Sequence, residues 1–174
     1  TYPRLLFITD AAVNVAPDLE DKVDIVQNAI DLAHMLKIAD PKVAILAAVE
    51  TVNLKMQATL DAAALCKMAD RGQITGGLLD GPLAFDNAIS LVAARTKGIK
   101  SAVAGQADIL LVPDIESGNM LAKQLEYLAD ALTSGIVLGA RVPIVLTSRA
   151  DSAETRTAST AVAMVMAHAK RKKL

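Results

Sequence analysis

The tripeptide Thr147-Ser148-Arg149 places two hydroxyls and a guanidinium between an apolar run, Ile144 to Leu146, and a helical pattern. A strand-to-helix corner of this kind offers free helix amides, hydroxyl donors and a fixed cation, which together suit a phosphate-like anion. The same residues admit a plainer use, in which Ser148 or Asp151 caps the next helix and Arg149 is a surface charge. Spacing alone favours the plainer use. Other polar clusters also follow apolar runs: Thr9-Asp10, Glu50-Thr51-Val52-Asn53, Asp80-Gly81-Pro82 and the stretch Pro113 to Asn119. Gly118 and Asn119 would let a ligand approach the backbone at a helix start, or would form an ordinary turn; Asp80-Gly81-Pro82 reads as a turn in the same way, and Asp86 as a cap or an exposed carboxylate.

Other chemistries find little support. His34 and His168 sit in helical stretches with no second ligand at metal spacing, so surface or packing roles suit them better than zinc. Cys66, within Ala62-Ala63-Ala64-Leu65-Cys66-Lys67, reads as a small buried helix residue and not as a nucleophile. No dinucleotide fingerprint or phosphate-loop signature is present.

The elements that must position these residues follow from the apolar pattern. Short runs at Leu5 to Ile8, Val43 to Val49, Ile109 to Val112, Ile136 to Leu138 and Ile144 to Leu146 read as buried strands, with a brief strand at Leu78-Leu79. Between them, Val26, Ile30 and Ala33, and later Leu121, Leu125 and Leu128, have helical spacing. Pro17-Asp18 supplies a helix start, and Asp40-Pro41 separates that helix from the next strand. Strands alternating with helices predict an α/β fold, a largely parallel sheet with helices on both faces. In such a sheet ligands bind beyond the carboxyl ends of the strands, where the polar clusters above fall.

Composition narrows the partners. With 174 residues and 53% hydrophobic content, the chain can bury roughly 70% of its unfolded surface in one globular unit. The 18 basic and 19 acidic side chains nearly cancel, and there is no Trp, so the chain lacks the basic excess and stacking residues of a nucleic-acid binder. Lys170-Arg171-Lys172-Lys173 reads as a solvated helix end favourable to the helix dipole. A single cysteine, no apolar run of about 20 residues and an opening Thr1-Tyr2-Pro3-Arg4 unlike a signal peptide predict a cytoplasmic protein without a membrane partner.

Taken in order, Ile8-Thr9-Asp10-Ala11-Ala12-Val13-Asn14, Pro17-Asp18-Leu19, Val49-Glu50-Thr51-Val52-Asn53, Asp80 through Ile89, Ala107 through Asp114, Gly118-Asn119, Val142-Pro143-Ile144 and Ser148-Arg149 resemble the phosphate acetyl/butyryltransferase family. The match runs from about Leu5 to about Ala167. Thr9-Asp10 and Ser148-Arg149-Ala150-Asp151-Ser152 look closer to butyryltransferases, and to the acetyltransferase portions of bifunctional enoyl-CoA hydratase/phosphate acetyltransferases, than to standalone acetyltransferases, which more often end Ser-Arg-Gly-Cys. Acetyl and butyryl both stay open as the transferred group.

The resemblance implies a two-lobed fold like that of isocitrate and isopropylmalate dehydrogenases, with the cleft between lobes and a homodimer formed through the second. On that pattern residues 1–141 are the second lobe, and 142–174 are a closing strand and helix that would pack on an amino-terminal lobe absent from this chain. The apolar face carrying Val162 and Val165 would then be exposed or covered by another chain. The implied reaction is acyl-CoA plus phosphate to acyl phosphate plus coenzyme A, or its reverse. Coenzyme A serves as a substrate, and no cofactor or metal takes part. Ser148 and Arg149 are the implied catalytic residues, with Thr147, Asp80, Gly118 and Asn119 as substrate-binding candidates. Family acetyltransferases place an aspartate seven residues after the serine, where this chain has Thr155; Asp151 and Glu154 are the nearby candidates for a base. Two other readings stand beside this one: a non-catalytic acyl-CoA-sensing module, like the regulatory domain of some malic enzymes, and a relative acting on a phosphorylated substrate.

Overall fold

The computed structural model describes residues 2–171. Strand β1 (Phe7–Thr9) leads into helix α1 (Leu19–Met35), β2 (Lys42–Leu46) into α2 (Gln57–Asp70), and β3 (Leu78–Leu83) into the short helices α3 (Phe85–Ile89) and α4 (Leu91–Thr96). Strand β4 (Ile109–Leu111) then leads into α5 (Ile115–Leu128). These four strands form one parallel sheet in the order β1-β4-β2-β3.

Topology explains which side chains are apolar. Crossovers from β1 to β2 and from β2 to β3 advance in one direction, so right-handedness puts α1 and α2 on one face; the return from β3 to β4 puts α3 and α4 on the other. Val43, Ile45, Ile109 and Leu111 accordingly pack with Val26, Ile30 and Ala33 of α1 and Ala62 and Leu65 of α2. The alternate residues Ala44, Leu46, Leu110 and Val112 pack with Ala88, Ala94 and Val103, and Leu121 of α5 joins that side. Strands covered on both faces read as continuous apolar runs, as the sequence does.

Local chemistry sets the helix starts. Asp18 caps α1 in a reciprocal box with Asp21, each carboxylate accepting from the other residue's amide. Asp114 caps α5, accepting from the Ser117 amide at 2.8 Å and the Ser117 hydroxyl at 2.7 Å. That cap pulls Ser117-Gly118-Asn119 into the first turn of a helix, where a free turn was the simpler expectation.

Three further expectations change. Asp80-Gly81-Pro82 lies inside β3, not after it, and the brief strand at Leu78-Leu79 extends to Leu83. Pro82 is tolerated because β3 is an edge strand, and the register with β2 shifts between Ala44 and Leu46 beside it. The runs at Ile136 and Ile144 do not join the main sheet. They form a separate antiparallel pair, β5 (Ile136–Val137) and β6 (Ile144–Val145), with Ile144 43% exposed. Leu128, expected on a buried helix face, is exposed.

Helix α6 (Ala153–Arg171) turns Thr155, Ser159 and Met166 inward and leaves Met164 and Val165 exposed, with Val162 half-buried. Of the basic tract at the chain end, Lys170 donates to the Ala140 carbonyl at 2.7 Å, while Lys172 and Lys173 lie outside the described residues. Among the described residues no helix is long and apolar enough to cross a membrane.

A Cβ added at Gly81 would stand 2.8 Å from both the Cβ and the carbonyl oxygen of Ile45. Gly81→Ala is therefore expected to destabilise the fold by about 1–3 kcal/mol through overpacking of β3 against β2. The midpoint of urea unfolding measures this directly, and an unchanged midpoint would refute the close approach.

Candidate active site

The carboxyl edge of the sheet is organised first by Asp10, immediately after β1. One of its oxygens accepts from the amides of Ala12 and Val13 at 2.8 and 3.0 Å; the other accepts from the Asn14 amide and side chain at 2.8 and 2.7 Å. Burial pushes this carboxyl up, but the four donors outweigh it and hold its pKa below the usual carboxylate value. The loop is thus wound around an internal anion.

Gly118 and Asn119 dock α5 on that loop. A Cβ at Gly118 would meet the Asp10 carbonyl and Val112 at 2.7 Å, so only glycine allows this approach. Asn119 Nδ2 donates to the Ala11 carbonyl at 3.3 Å, and the Ile115 amide donates to the Val15 carbonyl at 3.1 Å. Because α1 leaves β1 on one face and α5 leaves β4 on the other, the crevice between neighbouring strands β1 and β4 is the topological switch point of the sheet. Gly118 and Asn119 line that crevice. Asp80 does not join them, since it pairs with Ala44 on the far edge strand, three strand spacings or about 14 Å from β1.

The loop from Thr147 to Ala150 is exposed. Ser148 and Asp151 close it on itself: the Ser148 amide donates to Asp151 Oδ2 at 2.7 Å, and the Ala150 amide donates to Ser148 Oγ at 3.3 Å. Neither residue caps α6. Ser152 does, its hydroxyl oxygen accepting from the Thr155 amide at 3.1 Å. Among the described residues the Ser148 hydroxyl accepts from the Ala150 amide and donates to no group, so its proton can turn outward. Arg149 and Glu154 are exposed and make no side-chain hydrogen bond or ion pair among the described residues. Thr155 is buried in the first turn of α6. The Lys123 ammonium on α5 is pushed up chiefly by its bond to Glu126.

Two clusters at this edge escape a reading by motif. Lys97 bridges Glu50 and Asp86 at 2.6 and 3.0 Å, and Asn87 Nδ2 donates to Glu50 at 2.6 Å. The Lys97 hydrogen bond holds the Glu50 carboxyl below its ordinary value. Asp86 is thus an ion-paired surface carboxylate. On the other face Lys22 and Asp61 are buried and paired at 2.6 Å. A signal for the latter existed: Lys22 continues the stripe Val26, Ile30, Ala33, and Asp61 stands four residues before Leu65 on the same helical face.

The remaining candidates are structural. His34 Nε2 donates to the Gly76 carbonyl at 2.7 Å and packs against that glycine. His168 lies in the last turn of α6. Cys66 is half-buried with its sulfur 3.8 Å from the Gly81 carbonyl, and burial pushes the thiol pKa up to about 11.

Comparison with known proteins identifies the family. Residues 1–164 match the family model described as phosphate acetyl/butaryl transferase. The chain is 67% identical over 166 residues to a phosphate acetyltransferase from Rhizobium meliloti, covering 95% of this chain and 52% of the relative. It is 53% identical over 166 residues to a phosphate butyryltransferase from Clostridium acetobutylicum, covering 95% and 55%. Among solved structures, a branched-chain phosphotransacylase from Enterococcus faecalis V583 superposes with a TM-score of 0.83 at 38% identity, over 91% of this chain and 57% of that one. The chain spans about half the length of the curated relatives it matches.

Asp10 carries a pH dependence whose sign is fixed. Its folded pKa lies below the unfolded value of about 3.9, so its contribution is complete above that value and is lost as pH falls through the lower folded one. Asp10→Asn is expected to cost about 1 kcal/mol at pH 7, the low end for a charged acceptor because the group is half exposed. The gap between variant and parent should narrow progressively as the pH falls below the unfolded value of about 3.9. Denaturant melts across pH 2–7 read it; a gap independent of pH would remove the ionised carboxylate from the loop.

Proposed function

The chain belongs to the phosphate acetyl/butyryltransferase family, and from that membership we propose that it exchanges an acetyl or butyryl group between coenzyme A and inorganic phosphate. The observation that carries the reading is the 67% identity to a phosphate acetyltransferase over 166 residues, 95% of this chain. Identities to acetyl and butyryl enzymes are both high, so the two acyl groups are proposed together.

On this reading the reaction turns on negative charge. The carbonyl oxygen of the acyl group gains charge as phosphate or thiolate adds, and fixed donors aimed at it stabilise the transition state. Ser148 supplies a hydroxyl donor to the reacting centre, and the uncommitted Arg149 guanidinium holds the phosphate or acyl phosphate. Transfer is direct, within a complex of both substrates, without an acyl-Ser148 intermediate. In the reverse direction the coenzyme A thiol gives up its proton to Asp151 or Glu154. Asp151 has one oxygen tied to the Ser148 amide, and Glu154 has neither tied. Thr147, Gly118 and Asn119 line the substrates' side of the edge, and Asp80 contacts them only through a part of the ligand that reaches the far strand. Such a transfer requires no redox cofactor or metal. A cytoplasmic homodimer completes the proposal, and the lone Cys66 suits a reducing compartment.

We also propose that residues 1–141 form the second lobe of a two-lobed enzyme and that 142–174 close against a first lobe. The exposed apolar side chains Val142, Ile144, Leu146, Met164 and Val165 support this division. A cleft with one wall cannot hold two substrates in register, and lost positioning removes orders of magnitude in rate.

The decisive assay is thiol release from acetyl-CoA and butyryl-CoA, with and without phosphate, by the chain alone and with the amino-terminal half of the Rhizobium meliloti relative. Release is expected only when both halves and phosphate are present. Release independent of phosphate would mean a thioesterase; coenzyme A binding without turnover in the paired halves would favour the acyl-CoA sensor. Full turnover by the chain alone would overturn the two-wall reading. Arg149→Ala in the paired enzyme should lower kcat/KM by about 2 kcal/mol in transition-state terms, or more. A folded variant with parental kinetics would return Arg149 to the role of surface charge.

A further inference from the structure

Lys22 and Asp61 are joined at 2.6 Å with each side chain only 6% exposed. Lys22 lies in the first turn of α1 and Asp61 near the start of α2, so their bond bridges the amino ends of two helices at the carboxyl edge of the sheet. Directly beneath lie Leu46, Leu111, Val112 and Pro113, where the two central strands end. Gln57 holds the second Asp61 oxygen at 2.7 Å. The charge of Lys22 also reaches Asp114, the cap of α5, whose carboxyl is held down first by the Ser117 hydroxyl and amide and further by this ammonium.

A buried ion pair is a poor stabiliser, because desolvation offsets its attraction and an apolar pair of equal volume does as well or better. What such a pair supplies is a single geometry: charge-assisted hydrogen bonds fix distance and direction, whereas two apolar side chains can slide. Here the fixed geometry joins α1 to α2 and faces the start of α5, the three helices whose leading loops make the carboxyl edge.

We propose that Lys22 and Asp61 are positioning residues for the loops spanning 10–17 and 47–56, setting the separation of α1 and α2 and hence the mouth into which the acyl-transfer substrates bind. The part about substrates rests on the function proposed above; the part about the loops does not. Both are read from one double replacement, Lys22→Met with Asp61→Leu, which removes both charges and leaves no buried ion without a partner.

The variant is expected to melt within a few degrees of the parent. Hydrogen exchange in the chain should then show the amides of Ala12, Val13, Asn14 and Asn53 exchanging about tenfold faster or more, with Ile109 to Leu111 unchanged. Paired with the amino-terminal half of the relative, the variant should show a KM for coenzyme A at least about fivefold higher with kcat little changed. Loop amides at parental rates in a stable variant would overturn the proposal. So would a large drop in melting temperature, which would make the pair a stability element. Faster loops with an unchanged KM would remove the substrate part alone. Faster loops in a protein whose parent shows no turnover would sustain the positioning role and count against the acyl-transfer reading.

Discussion

Strand β4 runs between β1 and β2, and the rest of the fold follows from that insertion. Ile109, Leu110 and Leu111 are buried on both faces, which excludes polar residues from the strand itself. To reach this slot the chain must reverse direction after β3, and a right-handed connection then carries α3 and α4 to the face opposite α1 and α2. At the amino end, Asp108 ties β4 to both of its neighbours, β2 and β1: its carboxylate accepts from the Lys42 amide and from Arg4, and its carbonyl accepts from the Phe7 amide. At the carboxyl end the chains leaving β1 and β4 diverge to opposite faces. The gap between them is the place where α5 comes so close to the Asp10 loop that residue 118 has no room for a side chain.

Charges at this edge divide into those already satisfied and those left open. Asp10, Asp114 and Asp18 accept from backbone amides, and Glu50, Asp86, Lys22 and Asp61 are paired with one another or with neighbouring side chains. Such groups shape loops; they have little left to offer a ligand. Among the described residues, Arg149 and Glu154 make no side-chain hydrogen bond or ion pair, and the Ser148 hydroxyl donates to none. A guanidinium already paired to a carboxylate would have to break that pair before taking an anion from outside.

Features set by neighbours in sequence were legible before any coordinates. The Asp18 cap and the stripe Val26, Ile30, Ala33 were readable because a helix depends on contacts three and four residues apart. Of strand β3 only Leu78-Leu79 was legible, because Gly81 and Pro82 are turn residues in isolation; the register shift with β2 and the closeness of Ile45 accompany their place in a strand. The runs at Ile136 and Ile144 have the composition of buried strands, and nothing local says that their partner is each other. The Lys22–Asp61 bond spans 39 positions and leaves in each helix only a charged residue on an otherwise apolar stripe. Of the proposed site, only the family resemblance set the Ser148-Arg149 pair apart from a helix cap, and the capping itself falls to Ser152.

Cys66 is the one thiol in the chain, and its place between α2 and β3 gives it a use unrelated to catalysis. With a pKa of about 11, on the order of one molecule in a thousand carries a thiolate at pH 8, against about a quarter for an ordinary cysteine. Alkylating reagents attack the thiolate, so in the closed structure labelling is slow from lack of ionisation as well as from lack of access. When α2 lifts from the Gly81 carbonyl, both barriers fall together. The rate of labelling at this single atom therefore counts openings of the helix that carries Asp61, without a probe having to be introduced.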